Sequence, residues 1–224
     1  LGIITAASLR LFPLPGERVT AMLAVPSPAA AVDLFHRLAG GLGPGLSAAE
    51  LIARRGIDFV QGVHPEAADP LPGRPDWRLL VEATGPAGGG LEARAEAVLA
   101  EALETGAATD GVVAQSEAQR AHMWWLRETI PEANRRVGAV SSHDISVPLS
   151  RMPRFVEDGL AAVAAIDPGL RINCFGHLGD GNLHYNVFPA EGRGRADHEH
   201  LRPAIKGAIH DLVHAAGGSV AAEH

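Results

Sequence analysis

Between Cys174 and Asn186 the chain gathers a thiol, two imidazoles, two amides, a carboxylate and three glycines into thirteen residues, from Cys174-Phe175-Gly176-His177 through Asp180-Gly181-Asn182 to His184-Tyr185-Asn186. Asp-Gly flanked by strand-like runs is a strong signal for a two-residue hairpin turn. With Asp180 and Gly181 at the turn centre, partner numbers sum to 361, which sets His177 opposite His184. Such partners share a face, with Cβ atoms about 4.5–5.5 Å apart, close enough for both rings to bind one metal ion. The period of two adds Asn182 and Asn186 to that face. Gly176, Gly179 and Gly181 remove bulk around the rings, which a purely structural strand avoids. The competing reading is an exposed cross-strand histidine pair on a polar hairpin.

A third ligand is needed, and Glu223, in a second strand, is the best candidate. Two imidazoles and one carboxylate leave open positions on zinc, iron or manganese for a substrate. His224 follows at once, although a regular strand points it to the opposite face. The spacing His210-Asp-Leu-Val-His214 also resembles a helical metalloprotease motif. On a helical wheel, however, Ile205, Ile209, Leu212 and Val213 form the apolar stripe and both histidines lie off it. His198 and His200 fall in a polar loop and read as solvated. Arg127, in Trp124-Trp125-Leu126-Arg127-Glu128, is suited to clamp a carboxylate or to snorkel at the surface. Cys174 reads as a small buried hydrophobe.

These residues must be held by elements that the sequence punctuates clearly. Residues 3–11 read as a strand closed by Pro13, and residues 18–25 as a second. Ser27 is suited to cap a helix over residues 29–39, whose Ala31, Leu34, Phe35 and Leu38 fall on one face. Residues 46–52 suit strand or helix equally, and residues 64–76, with four prolines, form a loop. Strands follow at 77–83 and 110–115, with a helical pattern over residues 91–102 between them. A long helix spans residues 117–134, with Pro131 able to kink or shorten it. Strands at 142–148, 171–176, 183–188 and 219–223 alternate with helices, one starting at an N-cap Ser150 and another covering residues 201–216. The pattern predicts an α+β fold, an antiparallel sheet with helices packed on one face and ferredoxin-like elements, and suggests two related halves.

Composition narrows the function classes. The 224 residues are 46% hydrophobic and 20% charged, with no apolar run approaching the roughly 18 residues of a membrane span. A net charge of -7 offers no footprint for nucleic acid or an anionic membrane surface. One cysteine excludes an internal disulfide framework and fits a reducing compartment. The start at Leu1 without Met and the stop at His224 suggest a piece of a longer protein.

Gly-His-Leu-Gly-Asp-Gly-Asn-Leu-His at 176–184, Trp-Leu-Arg-Glu at 125–128, His-Asp-Ile-Ser-Val-Pro at 143–148 and the terminal Ala-Glu-His together resemble the C-terminal domain of FAD-linked oxidoreductases acting on D-2-hydroxy acids. That group includes D-lactate dehydrogenase, the glycolate oxidase FAD subunit and D-2-hydroxyglutarate dehydrogenase. The resemblance spans almost the whole chain. It implies that residues 1–224 are the substrate- and metal-binding cap domain of a longer flavoenzyme, with residues 1–14 at the junction to an N-terminal FAD domain.

The resemblance further implies that His177, His184 and Glu223 bind a divalent metal, zinc or manganese, that His224 is the catalytic base, and that Arg127 and Asn186 contact substrate. FAD is the implied redox cofactor and a small 2-hydroxy acid the implied substrate. The electron acceptor stays open, a homodimer is allowed, and the implied location is cytoplasmic, with peripheral attachment to a membrane open to the full-length protein. Ser142 stands where D-2-hydroxyglutarate dehydrogenase has lysine and Pro131 where it has threonine, so another 2-hydroxy acid is equally open. A non-enzymatic ligand-binding module, and a metal-dependent hydrolase or oxygenase using the same ligands, are the alternative readings.

Overall fold

In the computed structural model, which describes residues 2–11 and 14–222, the apolar and β-branched runs pair into one antiparallel sheet. Its strands are β1 (Glu17–Val25), β2 (Leu46–Ala53), β3 (Trp77–Gly85), β4 (Asp110–Val113), β5 (Ser141–Ser146), β6 (Arg171–His177) and β7 (Asn182–Phe188). They lie in the order β4-β1-β3-β2-β6-β7-β5. Between them run helices α1 (Pro28–Leu42), α2 (Arg54–Val63), α3 (Leu91–Glu104), α4 (Glu117–Val137), α5 (Met152–Ile166), a short α6 (Arg195–His198) and α7 (Arg202–Ala215).

The order resolves into two similar halves. The run β1-α1-β2-β3-α3-β4 places its strands as β4-β1-β3-β2, a ferredoxin-like arrangement. The run β5-α5-β6-β7-α7 repeats it, with the segment after α7 beside β5 in the place of a fourth strand. There Ser219 and Ser146 exchange backbone bonds of 2.8 and 2.9 Å, and the Ala222 N–H donates to the Asp144 carbonyl at 3.3 Å. The halves meet along β2 and β6 through the pairs Glu50↔His177, Leu51↔Gly176 and Ile52↔Phe175.

Helices α1, α3, α5 and α7 cover one face, as expected. Leu34, Leu38 and Leu99 pack there on Leu23, Leu51 and Leu79, and Phe155, Ile205 and Ile209 on Leu183, Tyr185 and Val187. The helices α2 and α4 add a partial layer on the other face, where Ile57, Val60, Met123, Leu126 and Ile130 meet Met22, Ile52, Leu80 and Phe175. The signal for that second layer lies in β1. Ala21 to Val25 are consecutively buried, the mark of a strand covered on both sides.

Helix starts follow side-chain chemistry. The Ser27 Oγ accepts from Ala30 N–H at 3.1 Å, as its sequence position predicts, and Ser116 does the same for Gln119 at 3.2 Å on α4. Ser150 does not cap α5. It falls in a 3-10 turn, Leu149–Arg151, that precedes the helix. Residues 3–11 do not form the expected strand: Ile3, Ile4, Leu9 and Leu11 are 82–92% exposed. Strand propensity records a side-chain preference, and among the described residues no neighbour supplies the ladder that would realise it. Residues 46–52 resolve as strand because β2 is flanked on both sides, by β3 and β6.

Candidate active site

The hairpin that carries the two histidines is not the two-residue turn that Asp-Gly suggests. A 3-10 turn, Leu178–Asp180, leads into Gly181, which sits at φ 67°. A Cβ at Gly181 would overlap the Val147 carbonyl oxygen, so glycine is required there both by backbone conformation and by space. The longer turn shifts the register by two. His184 faces Phe175 rather than His177, and Asn186 faces Asn173. His177 lies two residues along β6 from Phe175, so the two histidines share one face on a diagonal instead of standing directly opposite each other.

That face forms the floor of a cavity of about 690 Å³ that is partly open to solvent. Strands β2, β6, β7 and β5 supply Glu50, Phe175, His177, His184, Asn186 and Ser142. Helix α4 forms the wall, presenting Trp124, Arg127, Pro131, Asn134 and Arg135 at helical spacing. Pro131 remains inside the helix and removes the N–H that would bond the Arg127 carbonyl, so the ladder is interrupted at the arginine that faces the cavity. The structure therefore brings together four of the expected site residues, Arg127, His177, His184 and Asn186. Glu223 and His224 lie outside the described residues.

A residue that the sequence reading passed over organises this group. Glu50, only 3% exposed, accepts from Arg127 Nε at 2.8 Å through Oε2, and its Oε1 lies 2.5 Å from His177 Nδ1. The Arg127 guanidinium, itself buried, sits 4.9 Å from the centre of the Phe175 ring. The same ring lies 4.8 Å from that of His184. Asp144 approaches His184 Nδ1 at 3.7 Å and accepts from Asn182 Nδ2 at 2.8 Å. A carboxylate in the midst of the apolar run of β2 was the available signal for Glu50, because a buried charge demands a partner.

Among the described residues no group of three or more His, Cys, Asp or Glu side chains stands together to hold a metal. What the described residues do provide is two of the three expected ligands, His177 and His184, lining one cavity. His177 has a carboxylate hydrogen-bonded at Nδ1, that of Glu50 at 2.5 Å, whereas the Asp144 carboxylate stands 3.7 Å from His184 Nδ1, beyond hydrogen-bond distance. Carboxylates in that position orient metal-binding imidazoles and direct Nε2 to the ion. The donor chemistry present fits a divalent cation to that extent.

The remaining histidines lie elsewhere. His143 points to the other face of the sheet, against His210 at 5.6 Å between ring centres, with its Nε2 2.9 Å from Ser141 Oγ. His214 is exposed, and Ile205, Ile209 and Val213 form the buried stripe of α7, as the helical wheel predicts. His198 is buried rather than solvated, its Nδ1 3.4 Å from the Gly194 carbonyl as the chain turns into α6. Cys174 is buried, and burial pushes its thiol up.

Burial, reinforced by the positive side chains of His210, Lys206 and Arg202, lowers the His143 imidazole to about 4. The unfolded chain binds its proton near pH 6.5 and the native state only near pH 4. This contribution to stability is therefore complete above pH 6.5 and is lost as pH falls toward 4. Urea unfolding at pH 7 and pH 4.5 is expected to show a His143-dependent loss of about 2–3 kcal/mol, which shrinks in His143→Gln.

Comparison with known proteins identifies the family of the chain and the kin of its fold. The family model described as FAD linked oxidases, C-terminal domain, matches residues 14–224. D-2-hydroxyglutarate dehydrogenase of Xanthomonas citri pv. viticola is 33% identical over 224 residues, covering 100% of this chain and 46% of its own. The mitochondrial D-2-hydroxyglutarate dehydrogenase of Arabidopsis thaliana is 30% identical over 224 residues, covering 100% and 39%. The chain thus spans less than half the length of these curated relatives. In fold it is similar to 4-ethylphenol oxidase from Gulosibacter chungangensis, with a TM-score of 0.59 at 13% identity over 92% of this chain and 45% of that one. No helix among the described residues is long and apolar enough to cross a membrane. On the match over residues 14–224, the chain belongs to the family of FAD-linked oxidases, in the part described as their C-terminal domain.

Proposed function

We propose that the chain is the substrate- and metal-binding domain of an FAD-dependent dehydrogenase that oxidises a D-2-hydroxy acid to the 2-oxo acid. The observation that carries this reading is the convergence of Arg127, His177, His184 and Asn186 on one partly open cavity. An acid anion needs a fixed cation, and the buried Arg127 supplies one whose guanidinium is held by Glu50 and Phe175. Asn186, buried on the floor, adds an amide able to donate to a carboxylate or hydroxyl oxygen. The open part of the cavity suits a flat ring system brought by another part of the enzyme.

Within this reading, His177, His184 and Glu223 would hold a divalent metal, zinc or manganese. Such an ion supplies Lewis acidity that lowers the pKa of a hydroxyl. FAD supplies the acceptor for the α-hydride. The chain's own residues do the rest: Arg127 and Asn186 orient the carboxylate, and His224 takes the hydroxyl proton. The names of the relatives support a 2-hydroxy acid. Ser142 and Pro131, both lining the cavity, leave its identity open between dicarboxylic and smaller acids.

Anaerobic addition of D-lactate, glycolate or D-2-hydroxyglutarate to the full-length flavoenzyme tests the reading. Bleaching of the oxidised flavin band by at least one of them is expected. A flavin that stays oxidised with every 2-hydroxy acid would exclude the proposed activity.

A further inference from the structure

We propose that Glu50 is the positioning residue of this site, its single carboxylate setting both the presentation of Arg127 and the tautomer of His177. The inference deepens the reading above and rests on it for what those two side chains hold. Glu50 belongs to the first half of the fold, whereas His177 belongs to the second, and the pair Glu50↔His177 ends the ladder that joins them. The site therefore straddles the seam, and one side chain ties its two sides together.

The chemistry follows from what a carboxylate offers. Buried carboxylates are tolerated where hydrogen-bond donors satisfy their oxygens. Here Oε2 receives the Arg127 Nε–H at 2.8 Å, and Oε1 faces His177 Nδ1 at 2.5 Å. An ionised carboxylate only accepts, so the facing Nδ1 carries the hydrogen, and the lone pair of the neutral ring falls on Nε2. That is the form in which an imidazole binds a metal through Nε2. On Arg127, engagement of Nε leaves the two terminal nitrogens as the edge offered to a substrate carboxylate. A simple ion pair fastening α4 to β2 would account for the Arg127 contact alone. It would not fix the histidine tautomer.

Glu50→Gln separates these readings, because the amide has similar size but mixed polarity. Its oxygen retains the bond from Arg127 Nε, so its NH₂ group turns to His177 and requires a lone pair on Nδ1. Nitrogen-15 imidazole spectra at pH 8.5, about two units above the ordinary imidazole pKa, are expected to show His177 protonated on Nδ1 in the unmodified protein and on Nε2 in the variant. The His184 ring, placed against Asp144, is expected to keep one tautomer in both. Zn²⁺ affinity, measured with the ion alone, is expected to fall roughly 10–100-fold in Glu50→Gln. An unmodified protein with His177 protonated on Nε2, or a folded variant with an unchanged tautomer, would overturn the assignment. The spectrum of the unmodified protein decides the matter even if the variant does not fold. A tautomer switch in a protein that binds no Zn²⁺ would sink the metal reading and leave the positioning role standing.

Discussion

His184→Ala is expected to lower turnover of the full-length flavoenzyme by roughly 10²–10³-fold, the scale associated with removing a group that stabilises charge developing in the transition state. The ring lies on the cavity floor, packed on Phe175 and adjacent to Asp144. Truncation removes the proposed ligand without disturbing the apolar core on the opposite face, where Leu183 and Tyr185 are buried. Flavin absorbance should therefore be retained while bound metal falls. Metal analysis together with steady-state kinetics checks both expectations, and unchanged values in each would remove the histidine pair from the mechanism.

Arg127→Ala is expected to affect stability and binding together. Glu50 would remain buried with its cationic partner gone, and breaking a buried pair from one side costs about 3–5 kcal/mol. The substrate would also lose a charge-assisted contact of about 2 kcal/mol, equivalent to roughly a thirtyfold rise in KM. The two effects separate when the double variant Arg127→Met, Glu50→Gln, which neutralises both partners, is compared with Arg127→Ala for stability and with Glu50→Gln alone for KM. Denaturant unfolding should recover part of the lost stability in the double variant, whereas KM should stay high. Recovery of KM along with stability would show that Arg127 holds the fold and does not contact substrate.

Much of this arrangement was legible from residue patterns, and the failures have identifiable causes. The apolar periodicity of α1 and α7 and the cap at Ser27 all report local preferences that tertiary packing preserved. Residues 3–11 carry the same strand preference, yet pairing depends on a neighbour that no local pattern encodes. Two histidines on one face were foreseen because alternation is local. Their exact opposition was not realised because Asp180-Gly181 closes a longer turn, and the length of a turn controls register. Glu50 escaped notice because its significance lies in partners 77 and 127 residues away. His143, by contrast, sits within one of the recognised motifs, but its parity in β5 turns it to the helix-covered face.

The duplicated architecture allows the two halves to be matched position by position, outward from the central pair Leu51↔Gly176. Ile52 then corresponds to His177. Leu80, opposite Glu50, corresponds to His184, opposite Phe175. Ile52 and Leu80 are completely buried, in the cluster that the long β2–β3 connection, α2 with Ala67 and Leu71 beyond it, forms with α4. Between β6 and β7 stands only the short turn through Leu178–Asp180 and Gly181. The same pair of stations thus becomes oil-filled interior in one copy and a reaction chamber in the other. What separates the two fates is the length of a single connection.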